Sequence, residues 1–235
     1  MNNLIRDFNL KKGWAVARLN YKSFGLTAAI LAGVFVLIIL PGIIMSAAGG
    51  NVEGLGLSTT IYTFAIVFPV MLATSNFNKT MRLGAKKKDY FVGVLLFLAI
   101  LAAAISAAGI ALYYAVDKPV TDHLKTLYSL YRVMGFAGHG VVLGFLMQFG
   151  FLFFLSIVAF LIAGIQDTWR GWVTDVALAL GVVVLTTVAV LRHHVVGAIL
   201  YVVIKGHPAA QILFTLFVGF GLYCLYLLVL KRKKI

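Results

Sequence analysis

The sequence predicts an all-α membrane protein: six transmembrane helices, an N-terminal amphipathic elbow helix and a re-entrant outer hairpin before the last span. Three observations carry that prediction. The chain of 235 residues is 62% hydrophobic, only 11% of it is charged, and its apolar residues gather into long runs. A bilayer crossing takes about 20 such residues, so roughly six fit with short loops. Soluble domains carry nearer 25% charged residues, and disordered chains have low hydrophobicity; both classes are excluded. A net charge of +13 on so apolar a chain points to a membrane surface and not to nucleic acid. The single cysteine, Cys224, leaves no intrachain disulfide and no cysteine metal cluster.

Six stretches qualify as spans: about Phe24 to Ala48, Leu55 to Phe77, Tyr90 to Val116, Val141 to Ile165, Val173 to Leu191 and Ala209 to Leu230. Each must be helical, because lipid cannot satisfy free backbone groups. The domain reading is therefore a cytoplasmic amphipathic segment at 1–23, a six-helix body at 24–230 and a basic tail at 231–235. Arg6, Lys11, Lys12, Arg18 and Lys22 precede the first span, which is too long for the h-region of a cleaved signal peptide.

Orientation follows from lysine and arginine placement. With the N-terminus inside, fifteen of the 20 basic residues fall on inner segments, and the first outer loop, GGNVEGLG, has none. Both termini are expected in the cytoplasm of a cell whose plasma membrane the chain crosses. The segment Arg192 to Gln211 is consistent with this parity. Its apolar middle, Val195 to Ile204, reaches only about 15 Å as a helix, too short to span. It is read as a hairpin dipping into the outer leaflet or as an interfacial helix.

Two further segments look amphipathic. Leu10, Trp14, Ala17, Tyr21 and Phe24 recur at helical spacing opposite Lys11, Arg18 and Lys22, which describes an elbow helix on the inner surface. After the DKPVTD turn signal, Leu124, Leu127, Tyr128 and Tyr131 form a similar stripe, predicting a short surface helix in the outer loop.

Residues for catalysis are scarce. The adjacent His193 and His194 would diverge on a helix, and no HExxH pair accompanies His123, His139 or His207. The only glutamate is Glu53. Asp175 lies just inside the fifth span, either as a boundary residue near Arg170 or as a functional carboxylate. No G-x-x-x-x-G-K-[ST] motif occurs, so no catalytic, cofactor or metal site is expected in this chain. ATP and Mg would have to act on a partner.

The most informative stretch is NKTMRLGAKKKDYFVG, Asn78 to Gly93, between the second and third spans. Its length accommodates a small helix near Met81 to Lys88. Ordinary inside anchoring would account for its five basic residues. Together with the basic elbow, the six spans and the returning segment before the last span, however, Gly84, Lys86 to Lys88, Asp89, Phe91 and Gly93 make the chain resemble the permease subunit of ABC exporters of the ABC-2 type superfamily. The resemblance implies that Arg82, Leu83, Gly84, Lys86, Lys87, Lys88 and Asp89 form a coupling helix docking on a cytoplasmic ABC ATPase. It also implies that Asp167, Trp169 and Arg170 form a lesser inner contact, although Trp169 and Trp172 suit an interfacial belt equally well. The family works with twelve spans, so a second copy or a homologous permease is implied. The outer loop Asp117 to Gly140 is longer than many members have.

The spans offer Ser, Thr, Tyr and isolated amides such as Gln148 to line a pathway, which suits amphipathic or lipid-like cargo. Small residues at Ala102, Ala103, Ala104, Ser106, Ala107, Ala108, Gly109, Gly140 and Gly144 permit close helix contact. By resemblance to small bacterial permeases, an exporter of peptide toxins or peptide antibiotics is the expected function. The competing readings are a membrane immunity or sensor protein that binds an antimicrobial peptide without transport, and a membrane-embedded enzyme.

Overall fold

Lipid-length helices account for most of the described residues. The computed structural model describes residues 12–20, 54–120, 127–166 and 206–232, with isolated helical positions at 25, 29, 33, 171, 173, 176, 177 and 180. Residues 12–20 form helix α1. The helical run α2 comprises Leu57–Thr60, a tighter turn Ile61–Thr63, Phe64–Met71, a π-helical stretch Leu72–Asn76 and Phe77–Arg82. Helix α3, Lys87–Leu112, continues through a π-helical stretch, Tyr113–Asp117. After the short α4, Leu130–Val133, come α5, Val141–Ile165, and α6, Pro208–Arg232.

Four segments of these helices are long and apolar enough to cross a membrane: Leu57–Thr74, Lys87–Val120, Val141–Ile165 and Pro208–Leu227. They coincide with the second, third, fourth and sixth expected spans. The expected first and fifth spans are described only at the isolated helical positions given above, Pro208 to Gln211 of the expected returning segment begin α6, and the middle of that segment, Val195 to Ile204, and Asp175 lie outside the described residues.

Proline shapes α2. Pro69 lies inside the helix and has no N–H, so the Ala65 carbonyl four residues earlier loses its ordinary donor. The Ser156 hydroxyl of α5 donates to that carbonyl at 2.9 Å. One turn later the helix widens to the π form, and the Tyr90 hydroxyl of α3 donates to the Leu72 carbonyl at 2.8 Å. The Tyr223 hydroxyl of α6 reaches the Phe91 carbonyl of α3. These hydroxyl-to-backbone bonds join the helices where the hydrophobic effect supplies little association energy.

α2 and α3 form an antiparallel hairpin, with Ser58 beside Asp117 at one end and Leu72 beside Tyr90 near the other. α5 and α6 run parallel: Gly150 faces Thr215, Phe154 faces Gly219 and Gly164 faces Tyr226, in ascending order along both. A Cβ on Gly150 would lie 2.6 Å from Thr215 Oγ1, and one on Gly164 would lie 2.8 Å from Tyr226 Cε2. Such close approach is the use membrane helices make of small residues. Ala102, Ser106, Gly109 and Gly144 are buried likewise, whereas Ala104 and Ala107 are exposed.

At the end holding Asp117, the outer-loop expectation needs correction. Leu127–Tyr128 is extended, not helical, and pairs in parallel with Gly54–Leu55. Tyr128 is 57% exposed while Tyr131 is fully buried. The pairing competes successfully with the helical stripe because it supplies backbone partners, including Gly56 N–H to the Tyr128 carbonyl at 2.9 Å. Asp117 then ties α3 to the start of α2: its carboxylate accepts from the N–H groups of Leu57 at 2.9 Å and Ser58 at 3.0 Å, and from the Ser58 hydroxyl. A carboxylate suits the orphan donors and positive dipole of a helix start.

Candidate functional site at the basic end of the helices

The opposite end gathers the basic residues. Lys12 and Arg18 of α1, Lys79, Arg82, Lys86, Lys87 and Lys88 of the α2–α3 connection, and Lys231 and Arg232 at the end of α6 all belong to it. Lys118 and Arg132 belong to the Asp117 end.

The connection is not the expected helix over Met81 to Lys88. α2 stops at Arg82, and Gly84 takes a left-handed φ of +83°. Its N–H reaches the Met81 carbonyl at 3.0 Å and that of Ala85 reaches the Thr80 carbonyl at 3.4 Å. This paired closure satisfies the last carbonyls of α2 and suits glycine because it carries no Cβ. Lys86 is extended and α3 starts at Lys87. The seven expected contact residues thus lie on a tight corner between two helices.

That corner presents a graded surface. Leu83 is 65% exposed at its tip, with Arg82, Gly84 and Lys86 also exposed, and Lys87 and Lys88 half-buried. Asp89, in the first turn of α3, is buried, with 8% of its surface exposed. Three lysines at a helix start reinforce the positive dipole end instead of opposing it, so this corner attracts negative charge. An exposed leucine within such a field offers an apolar anchor.

α1 lies beside the corner. Its buried face is Gly13, Val16, Ala17 and Asn20, while Trp14 is 53% exposed. Trp14 of the expected apolar stripe thus points away from the protein, while Gly13 and Ala17 lie on the side that packs. The reason is close packing, since a Cβ on Gly93 would lie 2.7 Å from the Gly13 carbonyl and from Val16 Cβ. Asn76 at the π-helical end donates to Asn20 Oδ1 at 3.2 Å, pinning α1 by a buried amide pair that hydropathy does not reveal. Between α1 and the corner lies a groove of about 330 Å³, bordered by Lys12, Val16, Thr80, Leu83, Lys86 and Asp89.

Asp167, Trp169 and Arg170, the expected second contact, lie outside the described residues. Among the described residues no three His, Cys, Asp or Glu side chains converge on a metal-sized site. Gln148 is fully buried, with its amide against Gly109, which also abuts the Tyr62 ring. It sits inside this chain and not on an outward face, so it does not line a pathway between copies as arranged here.

No family model matches the chain, and neither a curated protein nor a solved structure gives a match.

Proposed function

We propose that this chain is the membrane-spanning permease subunit of an ATP-driven ABC exporter, moving amphipathic peptides or similarly hydrophobic cargo. The observation that carries the reading is the α2–α3 corner: Leu83 stands exposed among Arg82, Lys86, Lys87 and Lys88 at the basic end of the helices. Placed in the cytoplasm by the positive-inside bias, this corner serves as the surface on which a separate ATPase subunit docks. Its rigid closure at Gly84 and direct continuity with two spanning helices suit it to carry a push from the ATPase into the membrane. Closure of the ATPase then shifts the balance between two helix arrangements, and the chain itself performs no chemistry.

The parallel packing of α5 and α6 supports six crossings. It puts Ile165 and Pro208 at opposite ends of the pair. A single crossing between them, the expected fifth span, returns the chain in this sense, while a second full crossing there would make the pair antiparallel. Both termini then fall on the basic side, in the cytoplasm. The exposed stripe Leu213, Phe217, Phe220 and Cys224 on α6 supplies an apolar face for a second copy or a homologous permease.

Co-purification of the chain with a candidate ABC ATPase subunit, and vesicle transport by the pair, test the reading. Leu83→Asp and Arg82→Glu are expected to abolish stimulation of ATP hydrolysis by the permease while leaving it folded in the membrane. Unchanged association and transport would overturn it.

A further inference from the structure

We propose that the Gln148 carboxamide and the hydroxyls of Tyr62 and Ser106 form an internal water site where α2, α3 and α5 meet. All three side chains are more than nine-tenths buried. Among the described residues, neither hydroxyl and neither polar atom of the Gln148 amide has a hydrogen-bond partner. Elsewhere in the same helices the buried hydroxyls close on a carbonyl: Ser156 on Ala65, Tyr90 on Leu72 and Thr215 on Gln211. The orphaned groups at this one junction therefore break the chain's own pattern, and an unpaired polar group inside an apolar bundle is costly.

Gly109 of α3 brings the groups together. A Cβ there would lie 2.6 Å from Gln148 Nε2 and 3.3 Å from Tyr62 Cε1, the ring carbon next to the one that bears the hydroxyl. Ser106 precedes Gly109 by one helical turn and lies on the same buried face of α3. On α5, Gly144 stands one turn before Gln148, and the buried Tyr131 hydroxyl packs against it. That hydroxyl also has no partner among the described residues, so the site has a further polar neighbour on its Asp117 side.

The chemistry of the groups selects the occupant. The amide offers N–H donors and a carbonyl acceptor, and each hydroxyl both donates and accepts. A cation would use only the oxygens and would face the amide N–H groups, while an anion would find no positive charge among these neutral side chains. A larger amide-bearing molecule would need the space around Gly109 that the Gln148 side chain and the Tyr62 ring already fill. Water donates and accepts at once, and a buried water takes about three hydrogen bonds from groups of this kind. Such a bridge ties three helices together where hydrophobic association is weak, and it does not rest on the exporter reading.

The test is radiolytic footprinting of the full chain in heavy-oxygen water, read by mass spectrometry, with thermal melting in detergent alongside. Radicals formed from an internal water oxidise the side chains that touch it, so Tyr62 is expected to take up heavy oxygen despite its burial. Tyr90, at least as buried but closed on the Leu72 carbonyl, should stay unlabelled. Gln148→Leu is expected to abolish the Tyr62 label and to lower the melting temperature, because it leaves the water and the hydroxyls short of partners. Were the amide simply unpaired, the same substitution would remove a buried cost and raise the melting temperature. Ser106→Ala should weaken the label as well, and it keeps the test decisive where Gln148→Leu does not fold. A Tyr62 label no stronger than that of Tyr90, a label unaltered by both substitutions, or a melting temperature raised by Gln148→Leu would overturn the proposal. A melting temperature that rises with sodium at constant ionic strength, and does not in Gln148→Leu, would assign the site to a cation and overturn it likewise.

Discussion

The Ser156 hydroxyl donates to the Ala65 carbonyl at 2.9 Å, the acceptor that Pro69 leaves open four residues further along the same helix. A backbone defect in α2 is thus repaired from α5. The pair predicts a dependence that can be measured. Ser156→Ala should destabilise the chain by about 1 kcal/mol in a detergent unfolding titration. In a Pro69→Ala background the helix supplies its own N–H, and the same substitution should cost much less. Equal costs in the two backgrounds would remove the link between proline and serine.

Gly93 tests how α1 is held. Gly93→Ala would force a Cβ to 2.7 Å from the Gly13 carbonyl, a backbone atom that cannot rotate away. Overpacking of this kind costs about 1–3 kcal/mol. Faster hydrogen exchange across residues 12–20 is expected, with α5 unaffected. Gly138→Ala, which would meet no neighbour within 4 Å, serves as the neutral control.

At the other end, Asp117 accepts two backbone N–H groups and the Ser58 hydroxyl at the start of α2. Asp117→Ala leaves these donors without that acceptor, at roughly 1–3 kcal/mol for an orphaned buried group. Gly56→Ala is expected to disturb the same junction, because its Cβ would meet the Asp117 carboxylate. Both variants should melt earlier than wild type, and a melting temperature unchanged in Asp117→Ala would contradict the assignment.

Cys224 reports on self-association. It is the only cysteine, it is exposed, and it continues the α6 stripe on which Phe217 is 83% exposed. If two copies meet through this face, mild oxidation of membranes should give a disulfide-linked dimer, lost in Cys224→Ser and weakened by Phe217→Asn. A chain that stays monomeric on oxidation would assign the face to lipid or to a different partner.

The spanning helices were legible because length and apolarity decide them: the bilayer forces a run such as Val141–Ile165 to be helical whatever its local propensities. Packing detail was not legible. The apolar stripe through Trp14 did not reveal which side of α1 packs on the protein, the side where Gly13 admits close approach. The helix expected over Met81 to Lys88 overlooked Gly84, whose left-handed φ turns the chain; a glycine between two helical runs was the available signal. The pairing of Leu127–Tyr128 with Gly54–Leu55 joins segments far apart in sequence, which local periodicity does not register. Asp89 was legible as part of a charged cluster, but its burial beside a groove was not.

Single-cysteine labelling in intact cells tests the central claim most directly. In a Cys224→Ser background, a membrane-impermeant maleimide should label Gly138→Cys, an exposed position at the Asp117 end. On the proposed orientation, with the basic corner in the cytoplasm, it should label Leu83→Cys only after the membrane is opened. Labelling of Leu83→Cys from outside intact cells would put that corner beyond the reach of any cytoplasmic ATPase and contradict the account.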